Sequence, residues 1–325
     1  MNYIVTGGGG FIGMHLCRRL ANEGHDVAAI DIRPEPAPLM DERITFFQAD
    51  LRDGARVRSA LRGADTVFHL ASVHLQVGAP EEEFRDVNVR ASADVVVAAA
   101  EQGVRRFVHV STVGIYGHVE HPPAHEDAPR QPTNAYERTK LEGELAVAEA
   151  AARRGLDLRI IRPAWVFGPG CPRTAKLLRS IRRGRFFFVG RGDNLRHPVY
   201  VDDVIDALLL VSRSPAPGRQ DYIAAGPSAL TLRALVDGCA EALGVPRPRL
   251  RLPRTALLAA GRAAEIGGRL TGRQPPFSRR SLAFFENDNA FDCSAARHDL
   301  GYAPRVEFSE GIRRTLTDQV WPLAL

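Results

Sequence analysis

Thr6-Gly7-Gly8-Gly9-Gly10-Phe11-Ile12-Gly13 stands directly after a short apolar run, Tyr3–Thr6, and opens a helical pattern that ends near Glu23. Glycines at 7, 10 and 13 suit a tight turn, close approach of backbone to a pyrophosphate, and close packing of helix on strand. The helix that follows offers free N–H groups and the positive end of its dipole to an anion. A glycine-rich turn alone is weak evidence, because any tight turn can be glycine-rich; its surroundings decide. Asp31 ends the second apolar run, eighteen positions after Gly13. A carboxylate there accepts both ribose hydroxyls of NAD and repels the 2′-phosphate of NADP. Arg33 offsets part of that repulsion, so NADP stays open, and the plainer reading of Asp31 is a strand-end turn former.

Outward from this stretch, strand-like runs alternate with helical patterns. The runs are Tyr3–Thr6, Val27–Asp31, Ile44–Gln48, Thr66–Leu70, Phe107–Ser111 and Leu158–Arg162. Phe84, Val87, Ala91, Val95 and Ala98 repeat at three and four, as do Leu141, Leu145, Ala148 and Ala152, which is the spacing of one helix face. Strands alternating with helices imply right-handed crossovers and a parallel sheet covered on both faces. The fold class expected is therefore α/β, a Rossmann-type doubly wound parallel sheet. After Gly168 the rhythm loosens, with breaks at Pro169-Gly170, Pro215–Gly218 and Pro246–Pro248. Residues 1–168 are expected to form the dinucleotide-binding domain, with contributions from about 198–225. Residues 169–325 are expected to form mainly a smaller substrate-binding lobe.

The bulk numbers narrow the class. The 325 residues are 45% hydrophobic and 25% charged, an ordinary globular balance. No apolar run reaches the length of roughly eighteen residues that a membrane span needs. The opening Met1–Thr6 reads as a first strand, not a signal peptide. Cys17, Cys171, Cys239 and Cys293 are far apart, a pattern that suits a reducing compartment and offers no zinc framework, so a cytoplasmic location is expected. The net charge of +5, with no basic segment interleaved with aromatics, argues against a nucleic-acid partner. Arg52, Arg56, Arg58 and Arg62 read as a solvated helix face. His118, Glu120, His121, His125 and Glu126 fall in a Pro-broken loop without ligand spacing; no metal is expected, and the loop reads as solvated, bordering the site.

Tyr136-Glu137-Arg138-Thr139-Lys140 puts a phenol and an amine one helical turn apart on one face. An ammonium beside a tyrosine favours the phenolate, which then takes a proton from a substrate hydroxyl or returns it to a carbonyl. The spacing alone is common, and a solvated Tyr–Lys pair is the plainer reading. Lysine usage tells against that reading: Lys140 and Lys176 are the only lysines in the chain, and arginine supplies every other long cationic side chain. A role that tunes titration suits an ammonium better than a guanidinium fork. Ser111-Thr112 ends its strand at the same sheet edge as the glycine turn, where ligands bind in open parallel sheets. A hydroxyl there serves a reacting oxygen, or merely caps the strand end.

Together these pieces resemble the extended short-chain dehydrogenases/reductases, the NAD-dependent epimerase/dehydratase family. The matching residues are Thr6–Gly13, Asp50-Leu51, His69-Leu70-Ala71-Ser72, Asn88, Ser111-Thr112 with Tyr116-Gly117, Tyr136–Lys140, Arg162-Pro163 with Gly168-Pro169, and Tyr200-Val201-Asp202-Asp203. The resemblance implies a cofactor site of Gly7, Gly10, Phe11, Ile12, Gly13, Asp31, Ile32, Arg33, Asp50, Leu51, Leu70, Ala71, Ser72, Asn88, Tyr136, Lys140, Pro163 and Val166. It implies catalysis by Thr112, Tyr136 and Lys140, with Lys140 holding the nicotinamide ribose. It implies substrate contacts from His74, Thr112, Gly114, Trp165 and Arg196, and a homodimer built on the helices around 84–101 and 136–153.

Departures from the family pattern narrow the chemistry. Val113 and Gly114 follow Thr112 where sugar dehydratases carry Asp-Glu, and the decarboxylase branch also wants a carboxylate there. Epimerase, dehydrogenase and ketoreductase remain. Trp165 stands where many sugar-nucleotide epimerases have Asn, and Arg196-His197-Pro198 where they have Arg-Asp-Phe; Arg196 still offers a phosphate partner. Phe186-Phe187-Phe188 and Pro275-Pro276-Phe277 resemble the 3β-hydroxysteroid dehydrogenase-like branch, although such phenylalanines are more often core. The reading leans to a nucleotide-sugar epimerase or ketoreductase. An apolar alcohol or ketone is the alternative, and a non-catalytic dinucleotide-binding sensor or scaffold is the rival from another class.

Overall fold

A computed structural model describes residues 1–39, 41–74, 80–215, 218–255 and 279–320. The β-branched and aromatic runs of the first half become strands β1 (Asn2–Thr6), β2 (Asp26–Asp31), β3 (Ile44–Gln48), β4 (Thr66–His69), β5 (Arg106–Val110) and β6 (Asp157–Pro163). Nearly every residue of β1, β4, β5 and β6 is buried, as strands covered on both faces require. With β11 (Asp221–Ala224), the strands form a parallel sheet of order β11-β6-β5-β4-β1-β2-β3. The order reverses between β1 and β4, and the carboxyl ends of these two strands therefore flank a crevice of the kind that binds ligands.

The helices follow from the periodic segments: α1 (Phe11–Asn22), α2 (Gly54–Ala60), α3 (Glu81–Arg85), α4 (Ser92–Glu101), α5 (Ala135–Arg154), α6 (Pro172–Arg182), α7 (Val201–Arg213) and α8 (Leu232–Ala242). Arg279–Glu286, Ser294–Leu300 and Phe308–Thr317 form α9, α10 and α11. Apolar faces of α1 (Leu16, Leu20) and α7 (Val204, Leu208) pack on one side of the sheet. Those of α2 (Val57), α4 (Val95, Ala99) and α5 (Val147, Ala151) pack on the other. Short pairs make up the rest: β7 (Trp165–Phe167), β8 (Phe188–Val189), β9 (Leu195–Arg196), β10 (Pro198–Tyr200), β12 (Leu230–Thr231) and β13 (Arg251–Leu252).

Two features depart from the sequence reading. The sheet has a seventh strand, β11 (Asp221–Ala224), which pairs in parallel with β6 from far along the chain. Its four residues are too few for a periodic signal, and its place is set by contact with β6. The helical repeat through residues 84–98 is not one continuous α-helix: Asp86–Ala91 is a π-helical turn between α3 and α4. The Ser92 hydroxyl donates to Val87 O five residues back, and a Cβ on Gly143 of α5 would lie 2.1 Å from Asn88 O. The widened turn is thus bedded against a glycine of the neighbouring helix, a local insertion that often marks a functional region.

The elements are tied together under α5 by one buried cluster. Arg162 of β6, 1% exposed, bonds both oxygens of Glu144 on α5 (2.5 and 3.1 Å), the Tyr116 hydroxyl (2.8 Å) and Asp221 of β11 (2.6 Å). Glu126 corrects the solvated-loop reading of residues 118–126. It is buried, its side chain accepts from Ile223 N at 2.9 Å, and its carbonyl accepts from Tyr116. Paying the desolvation of a carboxylate requires a strong donor set, which only the tertiary fold assembles. Arg52, Arg56, Arg58 and Arg62 are exposed.

Candidate active site

The glycine turn is forced to be glycine by its contacts. Gly7 has φ +69°, and a Cβ there would lie 2.7 Å from Ala71 N. A Cβ on Gly13 would lie 2.2 Å from Gly7 O, so helix α1 seats on the turn only without a side chain. Gly10 is the N-cap of α1 and brings no side chain to the first N–H groups. Phe11 and Ile12 are half-buried in that first turn. The anion cradle expected at a helix N-terminus is therefore uncovered.

Asp31, 8% exposed, closes β2 beside the turn; a Cβ on Gly9 would lie 3.1 Å from its Oδ2. Arg33 folds back onto it, with N and Nε 3.0 and 3.1 Å from Oδ1 and Nη2 3.2 Å from Oδ2. Ile32 between them is 60% exposed. Asp50 is held by Arg52, which keeps its carboxyl below the usual range through side-chain hydrogen bonds, and Leu51 is buried. Leu70, Ala71 and Ser72 leave β4 next to the turn, where Ala71 N donates to Thr6 Oγ1 at 3.4 Å. Pro163 ends β6 and Val166 lies just beyond it, both buried.

Asn88 takes an internal role. Its amide accepts from Val73 N (2.8 Å) and donates to Val73 O (3.2 Å) and Thr139 Oγ1 (3.1 Å). It thereby pins the strand exit carrying His74 to the helix carrying Tyr136. The two rings meet, with centroids 4.6 Å apart.

Helix α5 begins with a capping box. Asn134 accepts from Glu137 N at 3.1 Å, while Glu137 reaches back to Thr133 N (2.7 Å) and Oγ1 (2.8 Å). Tyr136 and Lys140 follow in its first two turns. Lys140 is 3% exposed and donates from Nζ to Val110 O at 2.7 Å. Burial, only partly countered by Glu144, lowers its pKa to about 8. Thr112 caps the 3-10 turn Val113–Tyr116 and accepts from Gly114 N at 3.0 Å. A Cβ on Gly114 would lie 3.1 Å from Glu137 Cγ, so this turn packs directly on the start of α5. Thr112, Tyr136 and Lys140 thus share one corner of the sheet edge.

The outer residues divide differently. Trp165 is half-buried among aromatic rings, its centroid 6.4 Å from each of Phe167, Phe284 and Phe308. Arg196 is 8% exposed and already engaged: its guanidinium bonds Asn289 Oδ1 and the carbonyls of Ala283 (2.7 Å) and Phe284, and lies over the Phe284 ring. Phe186 and Phe188 are core, and Phe187 stacks on Phe285; Pro275-Pro276-Phe277 lies outside the described residues. His118 accepts from Asp288 N and His125 from Asp127 N. Among the described residues, no His/Cys/Asp/Glu group is arranged to hold a metal, and no helix is long and apolar enough to cross a membrane. A cavity of ≈ 790 Å³ lined by Arg191, Asn194, Arg254 and Phe285 includes none of the site residues expected from the sequence.

Sequence reasoning missed the interior polar residues beneath Lys140. His69 and His109 are directly paired across β4 and β5, and both are buried. The signal was present as a histidine in each of two buried strands, but only strand register brings them together.

This fold and this corner define a dinucleotide-binding protein of the short-chain dehydrogenase type. The chain belongs to the NAD dependent epimerase/dehydratase family, whose pattern matches residues 3–225. It is 28% identical to a 3beta-hydroxysteroid-dehydrogenase/decarboxylase of Arabidopsis thaliana over 96% of this chain and 78% of that one. It is 30% identical to a 2-alkyl-3-oxoalkanoate reductase of Stenotrophomonas maltophilia over 97% and 98% of the two chains. Among solved structures, a UDP-glucose 4-epimerase of Thermotoga maritima, with UDP-glucose, superposes with a TM-score of 0.80 at 25% identity, covering 97% of each chain.

Lys140 carries a stability cost. A group whose folded pKa is depressed from 10.5 to about 8 is charged in both states at pH 7, and burial penalises the folded one. Lys140→Met is expected to stabilise the ligand-free protein at pH 7 by about 1–3 kcal/mol. The wild-type deficit should shrink from pH 8 towards 10.5, because there the unfolded chain holds the lysine proton and the folded one does not. Denaturant melts of both proteins across that window check this, and a variant no more stable than wild type at pH 7 would contradict it.

Proposed function

We propose that the chain is an NAD-dependent dehydrogenase or reductase acting on a secondary alcohol or the corresponding ketone with apolar substituents. The observation that carries the chemistry is the capped start of α5, which fixes Tyr136 and buries Lys140 beside the Thr112 turn. Tyr136 takes the hydroxyl proton in oxidation and returns it in reduction; Lys140 favours the phenolate by its charge, and Thr112 orients the reacting oxygen. NAD bound in the glycine cradle supplies the hydride acceptor. Gly7, Gly10 and Gly13 would hold its pyrophosphate, Asp31 its adenosine ribose, and Lys140 its nicotinamide ribose. The site-residue assignments and the division into a cofactor domain (1–168, with 198–225) and a substrate lobe (169–325) belong to this proposal.

The apolar substrate class is favoured over the nucleotide sugar towards which the sequence leaned. Arg196, the residue proposed to meet a phosphate, already has protein acceptors on its guanidinium, and Trp165 sits in an aromatic cluster. The names of the two curated relatives, a hydroxysteroid dehydrogenase/decarboxylase and an oxoalkanoate reductase, support the same class. The second reading, a nucleotide-sugar epimerase, draws on the likeness to the UDP-glucose 4-epimerase. A homodimer through α4 and α5 is part of the proposal, supported by Leu145, which is 55% exposed on α5; sedimentation tests it. All four cysteines are free and buried, which supports a reducing, cytoplasmic setting.

The experiment is a turnover assay following nicotinamide absorbance, with NAD and then NADP, against 3β-hydroxysterols, 3-hydroxy and 3-oxo fatty acids, and UDP-sugars. Net NADH formation on an apolar alcohol is expected. UDP-sugar interconversion with bound cofactor and no net change in absorbance would favour the epimerase instead. Failure to bind either dinucleotide would sink both readings.

A further inference from the structure

The face of the sheet beneath α4 and α5 carries a cluster of buried polar side chains that the reaction scheme above leaves unused. His109 and Ser111 lie two apart on one edge of β5 and its exit, so their side chains project to the same face. Phe107, two residues earlier, marks that face by packing into the α4–α5 core. His69 of β4 sits directly beside His109, rings 5.5 Å apart and stacked.

His69 is fully used. Thr6 Oγ1 accepts from Ala71 N and lies 2.8 Å from His69 Nδ1; His69 Nε2 lies 2.9 Å from Ser92 Oγ, which donates to Val87 O. That network leaves one consistent direction: Thr6 donates to Nδ1, and Nε2–H donates to Ser92. His109 differs. Both of its ring nitrogens and the Ser111 hydroxyl are buried, and none has a hydrogen-bond partner among the described residues. Buried polar atoms are satisfied in folded proteins almost without exception, and the partner that fits donors and acceptors alike is water.

Lys140 is the neighbour that gives this cluster a function. Its Nζ is bonded to the carbonyl of Val110, the residue between His109 and Ser111. An ammonium has three N–H donors, of which this contact uses one. We propose that Ser111 and His109 hold at least one buried water that accepts a second N–H of Lys140, so that both are positioning residues for the catalytic ammonium. The water donates to the imidazole and to the Ser111 oxygen. No covalent bond changes, and the proton stays on Lys140.

The electrostatics agree with this geometry. Burial and then the nearby Lys140 charge push His69 down to about 3 and His109 well below the usual range. Both imidazoles are neutral, and a neutral ring offers the acceptor that an ammonium needs. Among the described residues, the charged group acting on Lys140 is Glu144 on α5, itself bonded to Arg162 of β6, and the titratable Tyr136 stands one turn earlier on the same helix. Ser92 of α4 and Asn88 of the π-helical turn, both buried and uncharged, are engaged as described. Removing the acceptors should therefore make Lys140 easier to deprotonate.

The test reads Lys140 directly. With two lysines in the chain, and Lys176 exposed on α6, 13Cε-lysine NMR of the ligand-free protein yields two separable titrations. Ser111→Ala and His109→Phe are each expected to move the Lys140 midpoint to lower pH by about half a unit or more, leaving Lys176 fixed. The double variant should shift less than the two added together, and His109→Gln should recover part of the shift. Midpoints that coincide with wild type in both folded single variants would overturn the proposal, as would a shift confined to His109→Phe. If either variant fails to fold, His109→Gln with Ser111→Gly in its place reads the same titration. The readout needs neither substrate nor cofactor, so its failure is distinct from failure of the proposed dehydrogenase activity, on which only the functional meaning of the shift rests.

Discussion

Tyr136→Phe is expected to lower kcat by about a hundred- to ten-thousand-fold while the protein still folds and binds dinucleotide. The loss is that of a positioned proton acceptor. The ring remains to pack against His74, whose centroid lies 4.6 Å away, and the capping box that starts α5 does not involve the Tyr136 hydroxyl. Stopped-turnover kinetics on the best substrate, with NADH fluorescence titration and a melt on the same sample, separate these effects. Retained kcat would remove Tyr136 from the reaction. Such a result would also revive the non-catalytic sensor, the reading from another class that an intact Tyr–Lys pair argues against.

The second large effect is on stability. Glu144→Ala leaves Arg162 buried with its principal acceptor gone, and a loss of about 3–5 kcal/mol is expected. Asp221 and the Tyr116 hydroxyl remain bonded to the guanidinium, which keeps the figure from being larger. Arg162→Met with Glu144→Leu removes both charges and should recover much of that loss, because a buried pair replaced by apolar side chains forfeits no desolvation. Urea unfolding of the single and double variants decides it. A single variant within about 1 kcal/mol of wild type would mean that water reaches the guanidinium once the carboxylate is gone. The cluster also bears on activity, since it joins α5 to β6 and β11 one turn beyond Lys140.

Much of the molecule was legible because its signals are local. The glycine spacing from 7 to 13, the alternation of strand and helix, and the i, i+4 placement of Tyr136 and Lys140 are constraints written within a few residues of one another. Backbone geometry translates them without help from the rest of the chain. The cofactor end followed the same way, through Asp31 at the close of its strand. The reading was weakest where a side chain's meaning depends on distant partners. Arg196 offered a phosphate partner in the sequence, and the fold turns its Nη groups to Asn289 and to carbonyls of α9. Glu126 looked solvated until Ile223 and Tyr116 were found against it. The periodic segment through residue 88 held no sign of a π-helical turn, because that turn is set by Gly143 on another helix and by Asn88 reaching to Val73 and Thr139.

The sequence by itself determined the fold class and the family, and singled out the residues to which the proposal assigns the proton chemistry, since turn-forming glycines and helical spacing act over short range. Only the tertiary structure decided which polar groups are buried, with what partners, and so which charges are free to meet a ligand. Desolvation is the reason: the cost of burying Arg162, Glu126, Lys140 or His109 is set by what the folded chain places beside each one, and no short stretch of sequence contains that information.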